Sequence, residues 1–302
     1  MWLKNKICVV TGSSGFIAGH LIDLLIKENP KDIIKLDIET GHDITDFAKT
    51  VKIFKKYKPD IVFNLAVLPL PASLTEPHPT VIKILYMMIN LCEMCRLRLF
   101  KRLVHISSSE AYGNKLYTPQ DELHPLNPRT PYASAKASCD LIALSYHKTF
   151  GIDVVIPRCF NTYGPRQPLK WGALIPKVIN TILQGGEPII FKNGKRTRDF
   201  IYVTDTVKGI IGVAKYAKSG DVVNIGYGKE ITVMDMLLRI CKMMGYEGKF
   251  DYQKQRPADV SQLCCDNTKA RKMFGFKPLI PLEEGLRETI KYYVDLYSHK
   301  II

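Results

Sequence analysis

The stretch ICVVTGSSGFIAG, Ile7 to Gly19, constrains this chain more than any other. Its first half is a continuous apolar run, as expected for a strand buried on both faces of a sheet. It ends in a glycine turn, and GHLIDLLIKEN follows with helical spacing up to Pro30. Gly12, Gly15 and Ala18 put small residues at the tight turn, the backbone approach and the helix–sheet contact. A strand, this turn and a helix together make a pyrophosphate site, because the helix N-terminus offers unbonded amides and the positive end of its dipole. Asp37 ends the next strand, IIKLD. A carboxylate there accepts ribose hydroxyls and repels a 2′-phosphate, so NAD is expected over NADP.

The alternation continues. FAKTVKIFKKYK, VIKILYMMINLCEMCRLR and PYASAKASCDLIALSYHKTF read as helices, and DIVFNLA, RLVHISS and DVVIPRCFN as strands. This predicts an α/β fold, a Rossmann-type doubly wound parallel sheet with helices on both faces. From about Tyr163 the rhythm changes, with a Pro- and Gly-rich stretch and shorter, mixed elements. Residues 1–163 are therefore expected to form the dinucleotide-binding domain, with 197–218 returning to it. Residues 164–302 are expected to form mainly a smaller mixed α/β substrate-binding subdomain.

A chain of 302 residues can bury a proper core. Its formal net charge of +14 suits an anionic ligand. The lysines are scattered rather than gathered in a tail, so a basic surface with a positive cleft is preferred to nucleic-acid binding. The eight cysteines come without a secretory leader, because Met1 to Lys4 runs directly into a strand. Reduced thiols in a cytoplasmic protein are expected. Cys92 and Cys95 form a C-x-x-C inside an apolar helical run with no second pair, and no metal is expected. The run Val81 to Leu91 is too short to span a bilayer.

TPYASAK places Tyr132 and Lys136 four residues apart, on one face of a helix that begins after Pro131. A cation beside a phenol lowers its pKa, and a bound nicotinamide cation would lower it further, which makes tyrosine a usable base near neutral pH. Here the motifs accumulate into a resemblance. TGSSGFIAG, DITD, NLA, ISSSEAYG, PYASAK, RCFNTYGPRQ, RDFIYVTD and RPADV occur in the order seen in the extended short-chain dehydrogenase/reductase family, from Lys6 to about Tyr293. More narrowly, the chain resembles the nucleotide-sugar epimerases, dehydratases and decarboxylases of that family.

The resemblance implies a tightly held NAD that oxidises C4 of an NDP-sugar and later returns the hydride. It makes Tyr132 the base for the C4 hydroxyl, Lys136 its tuning partner and holder of the nicotinamide ribose, and Ser108 a hydrogen-bond partner of the same hydroxyl. Gly12, Gly15, Phe16 and Ile17 fall in the family's pyrophosphate turn. Asp43 and Ile44 match its adenine contacts, and Leu65 and Ala66 its backbone contacts near the pyrophosphate and ribose. Asn161, Arg198 and Arg256 match the residues that hold the substrate diphosphate, a role suited to guanidinium forks.

A 4-epimerase needs no further acid, whereas a 4,6-dehydratase needs a base for the C5 proton. Ser108-Ser109-Glu110 resembles the Thr-Ser-Glu or Thr-Asp-Glu of dehydratases and the Thr-Ser-Glu of UDP-glucuronate decarboxylases. That makes Glu110 the C5 base and Ser109 its hydrogen-bonding partner. An NDP-hexose 4,6-dehydratase is preferred, ahead of a 4-epimerase and a UDP-glucuronate decarboxylase. The alternative outside enzymology is an NAD-binding relative that associates with RNA, for which an intact Ser108, Tyr132 and Lys136 set has no purpose. Tyr112 is expected to be structural.

The chain also departs from the family. Five residues separate Asp37 from Asp43, so the strand that usually flanks the adenosine end is expected to be missing or rudimentary. Asn64 and Val67 replace a His and an Ala, and Ile84 stands where the next helix usually has Asn. The helix over 81–98 is apolar nearly all round, which predicts burial against a partner. The family's dimer pairs this helix and the 132–150 helix from each subunit, so a homodimer is expected.

Overall fold

Four of the five residues of β1 (Ile7–Thr11) are buried, as a strand between two helical layers requires. The structure is a computed structural model that describes residues 2–254, 258 and 260–299. β1 pairs in parallel with β2 (Asp32–Leu36) on one side and β3 (Ile61–Asn64) on the other. The crossovers are α1 (Phe16–Lys27) and α2 (Phe47–Tyr57). After β3 come α3 (Leu70–Thr75), α4 (Pro77–Arg96) and β4 (Arg102–His105). The short β5 (Ser107–Ser108) carries the chain past β4, and α5 (Pro131–Phe150) leads to β6 (Asp153–Cys159).

The second half opens with β7 (Asn161–Tyr163), α6 (Leu174–Leu183), β8 (Ile189–Phe191), β9 (Thr197–Tyr202) and α7 (Val203–Tyr216). Next, β10 (Val222–Ile225) joins the edge of the first sheet beside β6. That sheet has the order β10-β6-β4-β3-β1-β2, every neighbouring pair parallel, with β5 extending the line along β6. The chain finishes with β11 (Glu230–Thr232), α8 (Val233–Met243), β12 (Asp251–Gln253), α9 (Thr268–Phe274) and α10 (Leu282–Ser298). β9 sits between β7 and β11 in a small mixed sheet, and β12 pairs with β8.

Successive side chains of a strand point to opposite faces, and β1 divides accordingly. Cys8 and Val10 pack toward Leu21 and Leu25 of α1 and Val207 and Ile210 of α7. Val9 packs toward Met88 and Leu91 of α4 and Ala135 and Cys139 of α5. A third cluster lies among α6, α8 and α10, around Ile179, Leu237 and Leu286. The sheet stops at β2, so the strand expected to be missing or rudimentary beside the adenosine end is not in the sheet. In its place Asp37 caps a single 3-10 turn, Ile38–Thr40, that runs on toward α2.

Candidate active site

The turn after β1 is built from close backbone contact. Gly12 has φ +64°, and a Cβ on it would lie 2.8 Å from the Ala66 Cα and amide nitrogen. A Cβ on Gly15 would meet the Gly12 carbonyl oxygen at 3.0 Å. No side chain caps α1, so its first turn, at Phe16 and Ile17, has no side-chain acceptor, as an anion-binding helix N-terminus requires. The Ser14 amide donates to Asp37 Oδ2 at 2.9 Å, which brings the carboxylate to the turn. Asp43 is exposed and accepts from the Thr45 amide and hydroxyl. The Ile44 side chain is buried, and its carbonyl accepts from Asn90 at 3.0 Å. Leu65 and Ala66 leave β3 against Gly12.

The second group stands at the ends of β4 and β5. Ser108 caps the 3-10 turn Ser109–Tyr112, its hydroxyl oxygen accepting from the Glu110 amide at 3.2 Å. Its own O–H therefore remains a donor for another oxygen. The Tyr132 phenol lies beside Ser108 and within electrostatic reach of Glu110. Burial pushes Tyr132 up to about 12; Ser108 pulls it down and Glu110 adds to the rise. Lys136 donates from Nζ to the Ile106 carbonyl oxygen at 2.6 Å, and burial lowers its pKa. The lowering of Tyr132 expected from Lys136 is not seen: burial dominates, and Ser108 is the neighbour that lowers it.

Burial also raises the Glu110 carboxyl, with the Arg198 guanidinium opposing the rise. Among the described residues the Glu110 carboxylate makes no hydrogen bond, and Ser109, though buried, does not donate to it. The partnership expected between Ser109 and Glu110 is not formed. Tyr112 is wholly buried and donates to Asn224 at 2.8 Å, under the Arg158 guanidinium, as a structural tyrosine should.

A cavity of about 280 Å³ opens from Glu110 between the two halves. Leu70, Pro71 and Leu74 of α3 give it an apolar wall, and Asn161 of β7, Arg198 of β9 and Arg196 just before β9 bring polar groups. Asn161 Oδ1 is buried with no hydrogen-bond partner, while Arg198 donates to the Thr197 carbonyl at 2.9 Å. Two of the three residues expected to hold a diphosphate therefore share one cavity with Glu110. The third, Arg256, lies outside the described residues. The loop after β7 reaches back over the dinucleotide turn: Arg166 pairs with Asp23 at 2.7 Å, and Lys170 lies 3.6 Å from Glu39.

Sequence reasoning passed over Arg196, Trp171 and the α3 wall, which come from separate segments with no shared period. It also passed over Asp140, four residues beyond Lys136 and wholly buried against Arg158. Asp140 could have been found, since Tyr132, Lys136 and Asp140 form a polar ladder on a helix face that is otherwise Ala and Cys.

Comparison with known proteins agrees with this geometry. The GDP-mannose 4,6 dehydratase family profile matches residues 35–289. A Methanocaldococcus jannaschii protein, provisionally named a UDP-glucose 4-epimerase, is 35% identical over 94% of this chain and 97% of its own. The crystal structure of the Thermotoga maritima UDP-glucose 4-epimerase with UDP-glucose superposes with TM-score 0.91 at 28% identity, covering 96% of this chain and 99% of that one. The dTDP-glucose 4,6-dehydratase of Streptomyces venezuelae, solved with NAD bound, gives TM-score 0.91 at 25% identity, covering 97% and 98%. With the dinucleotide turn, the Tyr132 and Lys136 helix and the cavity in place, the chain belongs to the extended short-chain dehydrogenase/reductase family, among its NAD-dependent nucleotide-sugar epimerases and 4,6-dehydratases.

Proposed function

We propose that this enzyme is an NDP-hexose 4,6-dehydratase working through a 4-keto sugar. The observation that carries the reading is Glu110: a half-buried carboxylate, without a hydrogen bond from the described residues, at the wall of the cavity and beside Tyr132. A loop-capping acid would be hydrogen-bonded, and among the described residues this one is not. Buried carboxyls with raised pKa are suited to proton abstraction.

The turn at Gly12 and Gly15 would hold NAD, with Asp37 toward its ribose hydroxyls, and NAD bound there would supply the hydride acceptor and donor for the sugar. Tyr132 takes the C4 hydroxyl proton, Ser108 donates to that oxygen, and Lys136 holds the ribose side. Once C4 is a ketone, Glu110 removes the C5 proton. That proton leaves with the C6 hydroxyl as water; return of the hydride to C6 would then be balanced by a proton to C5, equivalent to the one Tyr132 took from the C4 hydroxyl. Asn161, Arg198 and Arg256 hold the diphosphate, which assigns substrate binding mainly to residues 164–302. The apolar wall of Leu70, Pro71 and Leu74 favours a sugar uncharged at C6 over a uronate.

A 4-epimerase is the second reading, supported by the full-length likeness to the Methanocaldococcus protein and the Thermotoga enzyme. It uses the same Tyr132, Lys136 and Ser108 but leaves Glu110 without a task. Incubation with UDP-, dTDP-, GDP- and CDP-sugars, read by product mass, separates the two. Loss of one water supports dehydration, and an isomer of unchanged mass supports epimerisation.

Assembly and location belong to the same proposal. Ile82, Tyr86 and Ile89 of α4 and Leu141 of α5 are exposed on adjoining helices, and a second copy of the chain is the partner we assign to them. All eight cysteines are buried and unpaired, which suits a reducing cytoplasm. No helix among the described residues is long and apolar enough to cross a membrane.

A further inference from the structure

Helix α5 and the strand end beneath it share a spacing. Four helical residues rise about 6 Å and two strand residues about 6.6 Å, so Tyr132 and Lys136 meet Ser108 and Ile106 one level apart, while Asp140 lies against both Ser107 and His105. Ser108 lies beside Tyr132, the Ile106 carbonyl accepts from Lys136, and Ser107 donates to Asp140 Oδ2 at 2.8 Å. The same Oδ2 accepts from Arg158 at 2.7 Å. Asp140 Oδ1 has no hydrogen bond and faces His105 Nε2 at 3.7 Å, which has none either.

His105 is fixed from its other side. The Thr11 hydroxyl donates to Asn64 Oδ1 at 2.9 Å, which directs Asn64 Nδ2 toward His105 Nδ1 at 3.1 Å. An amide NH₂ can only donate, so Nδ1 is the acceptor and the ring proton sits on Nε2, pointing at Asp140. Thr11 accepts in turn from the Ala66 amide at 3.2 Å, and Ala66 abuts Gly12. The donors all run one way, from the dinucleotide turn across β1, β3 and β4 to the carboxylate on α5. The charged groups facing the imidazole are Lys136 and Asp140 of α5 and Arg158 of β6. Burial, Lys136 and Arg158 hold its pKa well below the usual histidine range.

We propose that His105, with its proton on Nε2, is a positioning residue that links the dinucleotide turn to Asp140, the anchor of α5, and so keeps Lys136 and Tyr132 in register. The 3.7 Å separation is longer than a hydrogen bond, and it closes to one when the turn is occupied. The proposal deepens the reading above and rests on it for the roles of Tyr132 and Lys136.

The test is ¹⁵N-histidine NMR of the full chain, free and saturated with NAD. His105 should stay an Nε2–H tautomer without titrating between about pH 5.5 and 8.5, and its Nε2 proton should shift downfield when NAD binds. An Nδ1–H tautomer, a titration in that range or an unmoved Nε2 proton would overturn the proposal. His105→Phe should bind NAD about tenfold more weakly. His105→Gln, whose amide can donate toward Asp140, should recover to within about threefold of the parent. Equal affinity in all three proteins, or a glutamine variant no better than phenylalanine, would also overturn it. None of these readouts needs sugar turnover, so an error in the assigned reaction leaves them intact.

Discussion

Lys136 donates to the Ile106 carbonyl oxygen at 2.6 Å while the Tyr132 phenol, one helical turn earlier, lies beside Ser108. The lysine thus ties α5 to the strand end through the backbone. Burial then dominates the phenol and holds it at about 12. A phenol at that level is a poor base near neutral pH. For Tyr132 to act as the proposed base, the positive nicotinamide of a bound NAD would have to supply the missing stabilisation of the phenolate.

In the protein alone, Tyr132 should therefore titrate at about 12, and saturating NAD should bring it down by roughly two units or more. The tyrosinate absorbance of the parent minus that of Tyr132→Phe measures this directly. A titration unmoved by NAD would count against Tyr132 as the base.

Glu110→Gln should preserve C4 oxidation and the accompanying NADH absorbance but lower water loss by about 10²- to 10⁴-fold, the range for a missing general base. It should also stabilise the fold at neutral pH. Burial raises the folded-state pKa of Glu110, so the folded protein binds the proton more tightly than the unfolded chain does. Stability contributed by the protonated carboxyl is fully present below the unfolded-state pKa and is lost as pH rises through the folded one. Melting curves of parent and variant should coincide in acid and separate toward neutral pH, with the variant higher.

The pair Tyr86→Lys and Leu141→Glu places charge on the exposed apolar stripe of α4 and α5. Sedimentation should show a dimer for the parent at micromolar concentration and a monomer for the double variant. A monomeric parent would remove the homodimer from the account.

Asp199 is wholly buried and accepts from the amides of Tyr227, Gly228 and Cys265 at 2.8, 2.8 and 3.0 Å. It thereby gathers three segments at the end of β9. Asp199→Asn turns an amide NH₂ toward N–H donors and should cost about 2 to 3 kcal/mol, the penalty of unmet buried donors. Denaturant titration should show the lower midpoint with an unchanged slope.

Much of this architecture was readable before any fold was known. The glycine turn, Asp37 and the Tyr132 and Lys136 spacing are short-range patterns whose geometry follows from the strand and helix periods alone. The short span from Asp37 to Asp43 likewise foretold the loss of a strand beyond β2. Three features were not readable. β10 crosses back to the first sheet from a segment with no distinguishing period. The α3 wall and Arg196 reach the Glu110 cavity from opposite halves. Ser109, which the Ser-Ser-Glu run suggested as the partner of Glu110, does not bond to it.

The sequence by itself determined the fold class and the glycine turn and singled out the side chains proposed to react, because local spacing sets which residues share a face. Only the tertiary structure decided their electrostatic state. Lys136 turns to Ile106, Glu110 is half-buried within electrostatic reach of Arg198, and His105 stands between Asn64 and Asp140. Burial and the direction of a hydrogen bond depend on residues 30 to 88 positions apart along the chain in these contacts. No local pattern encodes the desolvation that such distant neighbours impose together.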